Sequence, residues 1–171
     1  MIDLRKTLLD VHSILSHEGI SHALIGGFAL AVYGYHRATI DIDFLADGSK
    51  KDLIKKILST KGFILKHESE EVLQFTGTGF VDIVLANRPL SKAMLTQAIH
   101  NKELGVHVLL AEDIIGLKIQ AYKNDSTRCL QDKADIQKLL LLSNLDLVLV
   151  KKYAELFNEW DEIVKLGNLK I

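Results

Sequence analysis

The chain holds one cysteine, Cys129, and one proline, Pro89, in 171 residues. A lone cysteine excludes an intrachain disulfide, and no Cys/His cluster stands at structural-zinc spacing, so a disulfide scaffold and a zinc finger are both ruled out. A reducing, cytoplasmic setting is the resulting expectation. Aromatic residues make up only 6%, and none of them interleave with basic residues, which leaves base stacking on single-stranded nucleic acid without positive support. Charge of one sign is also missing. The 21 Lys and Arg meet 22 Asp and Glu, whereas a dedicated duplex binder would carry a basic excess. No apolar run reaches the roughly 18 residues that cross a bilayer. The N-terminal MIDLRKTLLDVHSILSHEG breaks its apolar residues with charge, so neither a membrane span nor a signal peptide is expected.

What remains is an ordinary globular composition, 48% hydrophobic and 25% charged, at a length suited to one core. Leu4, Leu8, Val11 and Leu15 recur at helical spacing and predict a first helix stopped by Gly19. His12, His17 and His22 step by five, which turns about 140° per step round a helix, so they read as surface or capping histidines and not as ligands on one face.

Ala23-Leu24-Ile25 reads as a short buried strand, and Gly26-Gly27 opens a helix over Phe28–Tyr33. A glycine pair at such a corner permits positive φ and close approach of backbone N–H groups to an anion, although a tight turn needs the same residues. A polar loop with His36, Arg37 and Thr39 leads to a strand over Ile40–Leu45. Alternation sends Ile40, Ile42 and Phe44 to the core face and projects Asp41 and Asp43 together from the other. Two neighbouring carboxylates on one face can hold a hard divalent cation, and a bare D-x-D also fits an exposed acidic edge strand.

Lys50–Leu58 reads as a helix in a lysine-rich region that continues to Lys66, interpretable as a solvated face or a polyanion contact. Strands are expected at Phe63–Lys66, Val72–Thr76 and Phe80–Leu85, the last carrying Asp82 inside an apolar run. If that strand lies beside Ile40–Leu45, three carboxylates converge. Helices follow at Lys92–His100, Glu112–Tyr122, Arg128–Leu142, Asp146–Trp160 and Glu162–Leu166, with a strand over Gly105–Leu110. Lys118, among apolar neighbours, reads as a lysine snorkelling from a core helix.

Gly26-Gly27, thirteen intervening residues, Asp41-Ile-Asp43 and a later strand aspartate at Asp82 resemble the signature of the nucleotidyltransferase superfamily that includes DNA polymerase beta. AEDIIGLKIQAY at Ala111–Tyr122 and RCLQDKADIQKLL at Arg128–Leu140 are similar to segments of its small bacterial branch related to abortive-infection toxins. The resemblance implies an α/β (α+β) nucleotidyltransferase fold, a small mixed sheet flanked by helices with a C-terminal helical region. The catalytic domain would span residues 1–142, and 143–171 a helical extension of it.

The same resemblance implies a metal-dependent enzyme moving a nucleoside monophosphate from an NTP to a hydroxyl. Asp41, Asp43 and Asp82 would be the catalytic and metal-binding residues, with Mg²⁺ or Mn²⁺. Gly26 and Gly27 would cradle the triphosphate, with Arg37, Thr39 and Lys118 also toward the nucleotide. A toxin–antitoxin or phage-defence setting with a partner protein is implied, and the acceptor is open among protein, RNA and small molecule. The alternatives are a non-catalytic nucleotide- or partner-binding module on the same fold, and a structural α/β protein with an acidic pocket. Arg128, Asp132 and Asp135 carry no assigned role.

Overall fold

Asp41–Asp47 (β2) and Phe80–Ala86 (β5) run side by side and parallel in the computed structural model, which describes residues 3–169. Their register pairs Asp43 with Asp82, so the two acids share one face of the sheet. The opposite face carries Ile42, Phe44, Val81 and Ile83, all at 0% exposure. Truncating Phe44 to alanine would cost roughly 3–5 kcal/mol, the usual figure for a buried aromatic.

Among the described residues the sheet has seven strands in the order β3-β4-β5-β2-β1-β7-β6. The others are His22–Ile25 (β1), Ile64–Glu68 (β3), Val72–Thr76 (β4), Ile99–Asn101 (β6) and Val106–Val108 (β7). β2 with β5 and β1 with β7 are parallel, and the remaining pairs are antiparallel. β1 is buried at every position, His22 included, as expected of a strand flanked on both sides whose other residues, Ala23, Leu24 and Ile25, are apolar.

Leu4–His17 (α1) and Lys51–Thr60 (α3) pack against each other and onto the sheet, burying Leu8, Val11, Leu15, Ile54 and Leu58. Asp3 caps α1 by accepting the Lys6 N–H at 3.0 Å, and Gly19 at φ +64° ends its C-terminal turn. Gly26–Val32 (α2) lies against β1 and β2, and Pro89–Gln97 (α4) against β2 and β5. Proline at the first helical position of α4 loses no hydrogen bond there.

The chain divides into two compact units, one running to Val32 and resuming over His36–Leu109, the other Tyr33–Tyr35 with Leu110 onward. Residue 142 falls inside the second unit. That unit consists of Ala111–Asn124 (α5), Cys129–Leu139 (α6), Leu147–Glu155 (α7) and Trp160–Gly167 (α8). α5 packs on α6 and on α7, the latter through a close approach at Gly116, where a Cβ would stand 2.9 Å from the Tyr153 ring. The Tyr153 hydroxyl donates to buried Asp113 Oδ1 at 2.6 Å, and burial raises that carboxyl above the ordinary carboxylate range. No described helix is long and apolar enough to cross a membrane.

Several expectations change. Ile40 is 71% exposed and precedes β2, so the core face of that strand begins at Ile42. The helix expected over Lys92–His100 stops at Gln97, because His100 pairs with His107 in a β-hairpin that local periodicity hides. The helix expected over Asp146–Trp160 breaks between α7 and α8, where Asn158 adopts φ +56°. His22 is buried within β1, against the expectation of a surface or capping residue.

Candidate functional site

The site is assembled by register. Antiparallel pairing sets Ile25 opposite Asp43, which brings Gly26, the next residue, up against the Asp43 side chain. Parallel pairing sets Asp43 beside Asp82, and the two-residue repeat adds Asp41 on the same face. Asp41, Asp43 and Asp82 each offer a carboxylate oxygen, and these oxygens all lie within 4.8 Å of one another. Among the described residues this is the one group of three acid, histidine or cysteine side chains that meets that spacing. All three are half-buried.

Neutral donors orient two of the acids. The Thr39 hydroxyl donates to Asp41 Oδ1 at 2.6 Å, and Gln74 Nε2 donates to Asp82 Oδ2 at 2.9 Å. Gln74 was not among the sequence candidates. It stands directly opposite Asp82 across the β4–β5 pair, so only the strand register reveals it.

The glycine pair has a packing reason in addition to the anticipated one. A Cβ on Gly26, which adopts φ +65°, would fall 1.9 Å from Asp43 Oδ2. One on Gly27 would fall 2.8 Å from both Cβ and Oγ1 of Thr39. Any side chain at either position would therefore displace Asp43 or the threonine that holds Asp41.

Two basic residues, Arg37 and Lys118, complete the sequence candidates. Arg37 is half-buried in the loop before β2 and donates to the Ala38 carbonyl at 3.1 Å. Lys118 lies on α5 in the helical unit and is buried, not snorkelling. Its ammonium is 2.9 Å from Asp132 Oδ1 and 2.6 Å from Asp135 Oδ2. Arg128 Nε reaches Asp132 Oδ2 at 3.3 Å, and Gln131 donates to Asp135 Oδ1 at 3.0 Å. Arg128, Asp132 and Asp135 thus join Lys118 in one ion-pair network.

Three clustered carboxylates, two of them steered by hydrogen bonds, form an oxygen donor set of the kind that hard divalent cations prefer. The donor set and its spacing fit such an ion.

Solved structures share this architecture. The antibiotic-resistance factor ANT(2'')-Ia superposes with a TM-score of 0.70 at 13% identity, covering 98% of this chain and 98% of that one. An antigenic nucleotidyltransferase-like protein from Paracoccidioides brasiliensis gives a TM-score of 0.61 at 20% identity, covering 98% and 93%. The lincosamide antibiotic adenylyltransferase LnuA, with lincomycin bound, gives 0.59 at 16%, covering 81% and 97%. At these identities the likeness is one of fold. No curated protein matches the chain. The family profile described as nucleotidyl transferase AbiEii toxin, Type IV TA system, matches residues 8–166. With nearly its whole length matched, its sheet built as a nucleotidyltransferase fold and its three acids gathered on one face, the chain belongs to the AbiEii nucleotidyltransferase toxin family.

Proposed function

We propose that this protein transfers a nucleoside monophosphate from an NTP to a hydroxyl group of an acceptor, with divalent metal held by Asp41, Asp43 and Asp82. The observation that carries the reading is the convergence of those three carboxylates within 4.8 Å beside the Gly26-Gly27 corner. Mg²⁺ or Mn²⁺ at such a site would lower the pKa of the attacking hydroxyl and neutralise charge on the leaving pyrophosphate.

The chain's own residues prepare the geometry. Thr39 and Gln74 fix the carboxylates of Asp41 and Asp82 before any ligand arrives, which reduces the reorganisation needed when charge develops. Gly26 and Gly27 present backbone without side chains, so phosphate oxygens can approach their N–H groups. Lys118 already has its charge met by Asp132 and Asp135, so the reading rests on residues of the sheet unit alone. Adenylyl transfer in LnuA, on the same fold, supports the reaction class. The family's toxin–antitoxin context supports a regulatory partner protein encoded as its antitoxin.

The test is incubation with each labelled NTP, Mg²⁺ or Mn²⁺ and cell extract, followed by location of the label in protein, RNA or small molecules and assay of pyrophosphate. Transfer that EDTA abolishes and Asp43→Asn removes is the expected result. Metal-dependent nucleotide binding with no pyrophosphate release under any condition would instead establish a binding module.

A further inference from the structure

A second group of metal-ligating side chains lies outside the acidic site. Four of the chain's seven histidines, His12, His22, His100 and His107, line one cleft of about 670 Å³ in the sheet unit. They arrive from α1, β1, β6 and β7, so no local repeat explains their meeting. We infer that His12, His100 and His107 form a binding site for a borderline divalent transition-metal cation such as Zn²⁺ or Ni²⁺, with His22 as the residue that orients His12.

The hydrogen bonds prescribe which nitrogen is available. His22 Nδ1 is 2.7 Å from the Ile20 carbonyl oxygen, which only an N–H can satisfy. In a neutral imidazole its Nε2 is then an acceptor. His12 Nδ1 lies 2.8 Å from that Nε2 and donates to it. This leaves His12 Nε2 as the unprotonated nitrogen, whose lone pair can coordinate a metal. A metal-bound histidine characteristically donates its other ring N–H to a buried acceptor, and the relay from His12 through His22 to a backbone carbonyl supplies that arrangement without a metal being needed to form it.

The other two ligands form a cross-strand pair. His100 and His107 are directly opposite in the antiparallel β6–β7 pair, with ring centroids 5.3 Å apart. Both are exposed, and both exert an electrostatic influence on His12. The nitrogens of the three residues are not yet all within 4.8 Å of one another. Rotation of the two exposed side chains must draw them to the metal–nitrogen distance of roughly 2.0–2.1 Å. Three imidazoles select Zn²⁺, Ni²⁺ or Cu²⁺ over Mg²⁺, which separates this site chemically from the carboxylate cluster.

The test titrates Zn²⁺ and Ni²⁺ into the EDTA-treated full-length protein at neutral pH, with excess Mg²⁺ to occupy the acidic site. Binding of one equivalent is expected, with loss of at least roughly tenfold in affinity for His100→Gln/His107→Gln and for His12→Gln. His22→Gln should weaken affinity by roughly 10–100-fold, the usual effect of removing an orienting partner. ¹⁵N spectra of the imidazoles should show His12 Nε2 shifted by metal while His12 Nδ1 keeps its proton. Absence of binding, or affinity unchanged in the His100→Gln/His107→Gln variant, would overturn the site. Binding abolished by Asp43→Asn but not by the histidine changes would also overturn it, by assigning the metal to the acids.

Discussion

The molecule contains two clusters built around aspartates, and their surroundings differ in kind. In the helical unit Asp132 and Asp135 are almost wholly buried, and Lys118 sits between them at 2.9 and 2.6 Å. In the sheet unit Asp41, Asp43 and Asp82 are half-buried, and two of their hydrogen-bond donors, Thr39 and Gln74, are neutral. The first cluster is nearly charge-compensated from within, so it holds helices together. The second gathers three carboxylates on one face of the sheet, a donor set suited to holding a divalent cation.

The sharpest way to break this comparison is to remove the lysine. Lys118→Met should destabilise the fold by about 3–5 kcal/mol in urea unfolding, because it removes the buried ammonium that Asp132 and Asp135 share. Neutralising both acids in the same background should recover much of that loss. If Lys118→Met unfolds at the wild-type midpoint, the ion pairs are not what stabilises the α5–α6 contact.

Asp43→Asn should do the reverse. Nucleotidyl transfer is expected to fall by more than about 100-fold, beyond the range of outer-shell changes, while thermal stability changes far less than in Lys118→Met. A drop in Tm comparable to that of Lys118→Met would make the two clusters alike and remove the distinction.

Smaller effects sharpen it further. Thr39→Val and Gln74→Leu each take away an orienting donor and should cost roughly 10–100-fold in metal affinity or activity, with folding intact. Equal activity in both variants would mean the carboxylates are held by other contacts.

His22 offers a third environment, a buried ring whose partners are neutral. Burial lowers its pKa from 6.5 to about 4, the Ile20 carbonyl partly opposes this, and His12 and His107 add to it. The Phe44 ring packs against it edge-on. A depressed folded-state pKa means stability is fully present above about 6.5 and is lost as pH falls through about 4. The loss should be on the order of 3 kcal/mol and should be absent from a stable His22→Gln variant in acid-unfolding curves.

Much of this was legible in the residues, and the exceptions share a cause. Alternation in IDIDF placed Asp41 and Asp43 on one face, and the acid inside FVDIVLA marked Asp82. Gln74 was not legible, because a glutamine within VLQFT has no meaning until β4 and β5 pair and place it opposite Asp82. Ile40 was assigned to the core by the same alternation, yet the strand starts one residue later and leaves it exposed. Lys118 looked like a snorkelling lysine because its two partners lie 14 and 17 residues further along the chain.

The sequence by itself determined the local patterns: a glycine pair at a strand end, acids at a spacing of two, and helices with one apolar stripe. These depend on the 2.0 and 3.6 residue periods, which any short segment carries alone. Tertiary structure decided which groups share charge. Strand register brought Asp82 to Asp43 and Gln74 to Asp82, and packing of α5 on α6 gave Lys118 to Asp132 and Asp135. It also joined His12 to His22 across an angle no single helix could close. Electrostatics and hydrogen bonding act through space at a few ångströms, and that proximity exists only once the chain has folded.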